Sequence, residues 1–270
     1  MGDNIRWCGF DFGLTIVNTL TLYNDTVEII KEVYNELGKT PIINERLKRL
    51  NEILLKCPYD ERLLDGIVDQ DKIEFMERHF RLKQLLHKNI QLFYKYTFDN
   101  DPRAITLFNE KRALVYRNFK PAVGLKECLM KLRDKGVDTN IVSDVESESE
   151  RDLISKFLVA NDLAQYFSEV ITNYGKIKKN GDIDLSYRGL KKSDGSIYKK
   201  ISRDIQSNGI KSSQALIIGD RPVEDIEKPA QYGFKTVQYI GIINREHSKA
   251  ANFIVSDIRT IVQIIDKFSR

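Results

Sequence analysis

The chain has 270 residues, 41% of them hydrophobic and 30% charged, which is enough for a sizeable core in one large domain or two smaller ones. Acidic and basic residues are well mixed and the net charge is only +4, which excludes a strongly basic nucleic-acid footprint and leaves a weak attraction for anionic ligands. Three widely spaced cysteines, Cys8, Cys57 and Cys128, exclude a disulfide framework and a zinc site, and no apolar run of about 18 residues exists to cross a membrane.

The first predicted element is a strand over residues 5–11. It ends abruptly in Phe10-Asp11-Phe12-Gly13-Leu14-Thr15. From about Asp25 to Lys120 the spacing of apolar residues is helical throughout. Thr26 to Tyr34 is one helix, closed by Gly38. Leu47, Leu50, Ile53 and Leu54 form the face of another. Phe75 to Phe98 carries a long aromatic-rich face, and Ala104 to Tyr116 is a further helix. After Pro121 the pattern alternates. Helices are predicted over 125–132, 151–157, 197–205, 223–232 and 258–268. Strands are predicted over 137–142, 169–172, 215–218 and 236–240. Strands alternating with helices imply βαβ units and a parallel sheet covered on both faces. The expected architecture is a three-layer α/β sandwich with a helical insertion after its first strand. The expected domains are 1–20 with 119–270, and the insertion 21–118. Asn180-Gly181 between alternating segments predicts a two-stranded excursion with its tip at that pair, read as a surface ornament.

Four sites fall at or beyond predicted strand ends: Asp11, Ser143, Lys192 and Asp220. Ligands of open α/β sheets bind beyond the carboxyl ends of the strands. Phosphoryl transfer needs a nucleophile, a cation to neutralise phosphate oxygens, and donors that hold the transferring group. Asp11 can attack phosphorus, and Asp11 with Asp220 can share one Mg²⁺, which prefers hard oxygen ligands. Ser143 can donate to a phosphate oxygen. Lys192 can pair with that phosphate and with Asp11. Each residue also has a plainer reading. Asp11 can be a strand-end turn former. Ser143 can cap the helix that follows. Lys192 competes with Lys191, Lys199 and Lys200 on a solvated face. Asp225 can be a first-turn helix acid. Asp144 is a weaker candidate carboxylate, and Arg221 can line the cleft or stay solvated. His79, His87 and His247 are scattered and form no metal triad.

These four segments resemble the haloacid dehalogenase-like (HAD) phosphohydrolases. That family reads D-x-D-G-T after its first strand, Ser or Thr after its second, a Lys often within K-P-x-P-x-I-[FY], and then G-D-x-x-x-D or G-D-x-x-x-x-D. Lys192 to Tyr198 matches the third motif in its lysine and its Ile-Tyr end. Gly219-Asp220 with Asp225 matches the fourth, and Pro121-Ala122-Val123-Gly124-Leu125 resembles the segment before the second. The resemblance spans residues 5–20 and 121–265 and places the insertion where the family's C1 group carries its helical cap. It implies Asp11 as nucleophile, Ser143 and Lys192 as phosphate-holding residues, and Asp225 as a supporting carboxylate. Mg²⁺ would be held by Asp11, Asp220 and the Gly13 carbonyl, with the active site between the sheet edge and the cap.

The first motif departs from the family pattern. Gly13 stands where the family has a second Asp as general acid/base, and Leu14 stands where it has Gly. Proton transfer of that kind is worth roughly 10²–10⁴. Two functions therefore remain open. One is a Mg²⁺-dependent phosphohydrolase of a small phosphorylated metabolite, slow on unactivated monoesters. The other is a retired enzyme that binds a phosphorylated ligand or a protein partner. No nucleic-acid or membrane partner is expected, and the oligomeric state is not legible. The reduced thiols suit the cytoplasm. No signal peptide is read at the N-terminus, and Arg6 occupies the place where an N-myristoylation signal wants Ser or Thr.

Overall fold

The computed structural model describes residues 4–268. They form two compact units: residues 4–18, 66–68 and 120–268 in one, 19–65 and 69–119 in the other.

The first unit is built on an eight-stranded sheet. Its strands are β1 (Trp7–Phe10), β2 (Asp138–Ser143), β3 (Glu169–Thr172), β4 (Gly175–Lys178), β5 (Ile183–Asp184), β6 (Ala215–Gly219), β7 (Lys235–Tyr239) and β8 (Phe253–Val255), in the spatial order β5-β4-β3-β2-β1-β6-β7-β8. β1, β2, β3, β6, β7 and β8 run parallel, and β4 and β5 add an antiparallel edge. Every residue of β1 and β6 is buried, as expected of parallel strands covered on both faces. Gly9 is required within β1, because a Cβ there would lie 2.8 Å from the Trp7 ring and 2.9 Å from Ile217.

The chain runs outward from β1 to β2 to β3, then returns to β6 on the other side of β1. Right-handed crossovers in opposite directions place their helices on opposite faces. The helices are α6 (Leu125–Asp134) before β2, α7 (Glu148–Ala160) before β3, and α8 (Ser196–Ser207) before β6. Ile197, Tyr198, Ile201 and Ile205 of α8 pack with Trp7, Val142, Ile171, Ala215 and Ile217. The order of connection reverses between β1 and β6, and such a switch point is where open α/β sheets bind ligands. Phe10 lies level with Ile141 of β2 and Ile218 of β6, so the residue after it emerges between those two neighbours.

The second unit is helical: α1 (Leu22–Glu36), α2 (Ile43–Lys56), α3 (Gln70–Lys88), α4 (Ile90–Phe98) and α5 (Pro102–Asn118). The aromatic face expected over 75–98 is divided between two helices that break at Asn89. Its rings are core: Phe93 lies 4.9 Å from Phe108 and 5.9 Å from Phe98, centroid to centroid. Asp101 caps α5, accepting from the Arg103 and Ala104 amides, with Pro102 at the first helical position.

Several local expectations change. The Asn180-Gly181 turn forms as read, but its strands continue the main sheet through β3–β4 pairing instead of leaving it. The helix expected over 223–232 is a π-helical segment, Pro222–Glu227, followed by the short α9 (Lys228–Ala230). The last helix begins as a 3₁₀ turn at Ile258–Thr260 and continues as α10 (Ile261–Phe268). Strand β8 had no counterpart in the sequence reading. Three residues of the helical insertion, Gly66–Val68, belong to the sheet unit. Ile67 bridges Arg245, and the Val68 amide donates to the Asn244 carbonyl at 3.0 Å. Among the described residues no helix is long and apolar enough to cross a membrane.

Candidate active site

Asp11 leaves β1 at the switch point, where its amide donates to the Ile218 carbonyl at 2.8 Å. The chain then turns at once: the Ile16 and Val17 amides both donate to the Phe12 carbonyl, and Leu14 adopts φ +62. That left-handed conformation is one a glycine adopts without strain, and Leu14 holds it with a buried side chain. Beyond Gly13 there is open space, since a Cβ built there would meet nothing within 4 Å.

Lys192 is 1% exposed and reaches two carboxylates at once. Its Nζ donates to Asp11 Oδ1 at 2.5 Å and to Asp225 Oδ1 at 2.7 Å. The loop before α8 aims it inward. Its backbone amide donates to both oxygens of Asp144 at 3.3 and 3.2 Å, and Gly195, at φ +78, turns the chain into the helix. The lysine-rich stretch therefore contains one functional candidate, Lys192, which is set apart from its neighbours by burial.

Asp220 follows β6 and is nearly sealed from solvent. Asp225 is fully buried, and its Oδ2 accepts from the Arg221 amide at 3.1 Å. Gly219 makes that placement possible, because a Cβ there would sit 2.4 Å from Asp225 Cβ. The Gly-Asp-x-x-x-x-Asp spacing thus has a steric reason in this chain.

Burial dominates the electrostatics. It pushes the Asp11 carboxyl up to about 7, against the Lys192 ammonium, with Asp225 and Asp220 adding repulsion. Asp220 and Asp144 are raised for the same first reason, opposed by Arg245 at Asp220 and by Lys192 at Asp144. For Asp225 burial also works against the charge, yet Lys192 and Arg221 hold it below the usual carboxylate range. Burial opposes the charge on Lys192 too, but Asp11 and Asp225 raise it well above its ordinary value.

The structure brings Asp11, Lys192, Asp220 and Asp225 together. One oxygen each from Asp11, Asp220 and Asp225 lies within 4.8 Å of the others. Such an all-oxygen set suits Mg²⁺. Asp225 gives both oxygens to Lys192 and Arg221, whereas Asp11 and Asp220 each keep a second oxygen outside these pairs. Ser143 ends β2 on the neighbouring strand. Its hydroxyl has a long 3.4 Å contact to the Asp144 carbonyl and no bond to the other four among the described residues. It does not cap the following helix; Ser147 does, accepting from the Glu150 amide at 3.2 Å.

The sequence reading missed Arg245. Its Nε donates to Asp220 Oδ2 at 2.8 Å, and the two side chains are 1% and 3% exposed. It lies in the loop between β7 and β8, and no spacing or periodicity marks it.

The family model of haloacid dehalogenase-like hydrolases matches residues 9–233. A glyceraldehyde 3-phosphate phosphatase from Pyrococcus furiosus is 21% identical over 252 residues, covering 88% of this chain and 94% of that protein. Among solved structures, a HAD phosphatase from Thermococcus onnurineus has a TM-score of 0.54 at 17% identity, covering 97% of this chain and 98% of the other. A 2-haloacid dehalogenase from Pseudomonas syringae has a TM-score of 0.57 at 15% identity, covering 98% and 99%. At these identities the structural likeness concerns the fold.

Proposed function

Because the chain belongs to the haloacid dehalogenase-like hydrolase family, we propose that it is a phosphohydrolase of a small phosphorylated metabolite, working through an aspartyl-phosphate at Asp11. One observation carries the reading: a buried lysine bridges the carboxylate at the β1 tip to a second carboxylate behind β6, at the switch point of the sheet. The 21% identity to a phosphatase supports the phosphoester class, without extending that protein's substrate to this chain.

In this reading an Asp11 oxygen bonds to phosphorus as the bond to the leaving group breaks, and water later cleaves the acyl phosphate to regenerate Asp11. Lys192 and Ser143 hold phosphate oxygens, and Asp225 fixes Lys192. Mg²⁺, when bound, neutralises phosphate charge, and Asp11, Asp220 and the Gly13 carbonyl are the groups that would hold it. Gly13 brings no acid to protonate a leaving alkoxide, a loss worth roughly 10²–10⁴. Substrates with good leaving groups, acyl phosphates above all, need that proton least. The buried free thiols suit a reducing, cytoplasmic setting.

The test is steady-state hydrolysis of acetyl phosphate and p-nitrophenyl phosphate with Mg²⁺ present. Turnover of acetyl phosphate that is lost in Asp11→Asn is expected. No turnover of either compound, or full activity in Asp11→Asn, overturns the proposal. A second reading, a retired enzyme that binds a phosphorylated ligand, is favoured by Gly13 and Leu14. It predicts calorimetric binding of phosphate with no turnover of either compound.

A further inference from the structure

Three carboxylates, Asp11, Asp220 and Asp225, are paired with two buried side-chain cations, Lys192 and Arg245, and the Arg221 guanidinium also acts on Asp220 and Asp225. Lys192 compensates Asp11 and Asp225. Arg245 compensates Asp220, one of the two carboxylates assigned above to a divalent ion.

Arg245 is not a surface side chain that has swung inward. Its backbone bridges Ile67. On either side of it the Asn244 carbonyl accepts from the Val68 amide, and the Glu246 amide donates to the Gly66 carbonyl at 2.5 Å. The Glu246 carbonyl also accepts from Gln238 Nε2 at 2.8 Å, which ties the segment to β7. The fold therefore delivers a cation to Asp220. A guanidinium keeps its charge at any working pH, so it cannot give way to a metal by losing a proton. A divalent ion on the second oxygen of Asp220 would sit beside this guanidinium and be repelled by it.

We propose that Arg245 is a built-in cation that competes with a divalent metal for the charge of Asp220, so that metal binds this site weakly while the guanidinium is docked. The inference rests on the reading of Asp11 and Asp220 as metal ligands. The apparent metal affinity of the wild-type protein is then reduced by the fraction of time Arg245 stays docked.

The experiment measures Mn²⁺ binding to the full chain by electron paramagnetic resonance, in wild type, Arg245→Met and Arg245→Gln, each with and without Asp220→Asn. Arg245→Gln retains a hydrogen-bond donor for Asp220 without the charge, and serves if the methionine variant does not fold. Removal of the guanidinium is expected to tighten Mn²⁺ binding by about tenfold or more, and Asp220→Asn is expected to abolish the gain. Melting offers a second readout. The Arg245 variants should melt lower in EDTA and recover on adding Mg²⁺, by more than wild type responds. If wild type and the variants bind Mn²⁺ equally and Asp220→Asn removes that binding, the role of Arg245 is refuted while the ligand assignment stands. If no protein binds Mn²⁺ at millimolar concentration, both fall.

Discussion

Replacing Lys192 with methionine keeps the length and apolar stem of the side chain and removes its charge. In the folded protein Nζ lies 2.5 Å from Asp11 Oδ1 and 2.7 Å from Asp225 Oδ1, and the side chain is 1% exposed, so bulk water cannot take its place. Removing one partner of a buried ion pair costs about 3–5 kcal/mol. At about 2–4 °C per kcal/mol for a chain of this size, the melting temperature should fall by roughly 10 °C. The sign of the pH dependence follows. Asp11 already titrates near 7 in the fold, above its unfolded value, and loses its main counter-charge in the variant. Stability carried by such a group is present at low pH and lost as pH rises through the folded value. The deficit of Lys192→Met should therefore be smaller at pH 5 than at pH 8. The assay is urea unfolding followed by circular dichroism in EDTA, and Asp11→Asn in the Lys192→Met background should restore most of the loss. A deficit under about 1 kcal/mol, the scale of an exposed pair, would refute the reasoning. So would a deficit that neither acid nor Asp11→Asn relieves.

Gly13→Asp meets no steric obstacle. It should raise hydrolysis of an alkyl phosphate such as glycerol phosphate by roughly 10²–10⁴ and that of acetyl phosphate far less, because only the alkoxide needs a proton; equal gains would argue against a missing acid. Leu14→Ala should lose about 2–5 kcal/mol for its buried side chain. Leu14→Gly should be about 1 kcal/mol more stable than the alanine variant, reversing the usual order, because of the φ of +62; urea titrations of both variants decide it. Cys8, Cys57 and Cys128 are buried and free, and burial pushes the Cys128 thiol up to about 12. Ellman's reagent should find almost no thiol in the native protein and all three in denaturant; one fast native thiol would contradict this burial.

The strands that carry the site were legible because each is an apolar run stopped by a polar residue. Trp7–Phe10 stops at Asp11 and Ala215–Gly219 at Asp220, which is how a strand buried on both faces reads. Lys192 and Asp225 were legible as a spacing, yet their burial and their shared contact depend on loops closing from distant segments. Other features had no local signal. β8 is three residues long and is defined by its pairing with β7. β4 was visible as one arm of a hairpin, but its partner β3 lies outside that hairpin. Ser143 and Ser147 were both available as caps, and the strand runs on through Ser143. Arg245 is placed by a bridge to Ile67, far away in the chain, and no window of neighbouring residues contains that information.

Gly13 and Arg245 shift the cluster in the same direction. A second aspartate at position 13 would add a carboxylate two residues from Asp11; this chain has Gly13 there and a guanidinium on Asp220. The two changes should therefore be coupled. Arg245 offsets part of the negative charge that would attract a metal, so a carboxylate introduced by Gly13→Asp should tighten metal binding less while the guanidinium is present. In the Arg245→Met background Lys192 and Arg221 are the cations left acting on these carboxylates, and a divalent ion is the natural compensation for the added charge. A double-mutant cycle on Mn²⁺ affinity should then show Gly13→Asp tightening binding more in the Arg245→Met protein than in wild type, by an interaction free energy of about 0.5–3 kcal/mol. Strict additivity would mean that the guanidinium and position 13 do not share one electrostatic site. The charge argument for Arg245 would then have to be given up, even if each single variant behaved as expected.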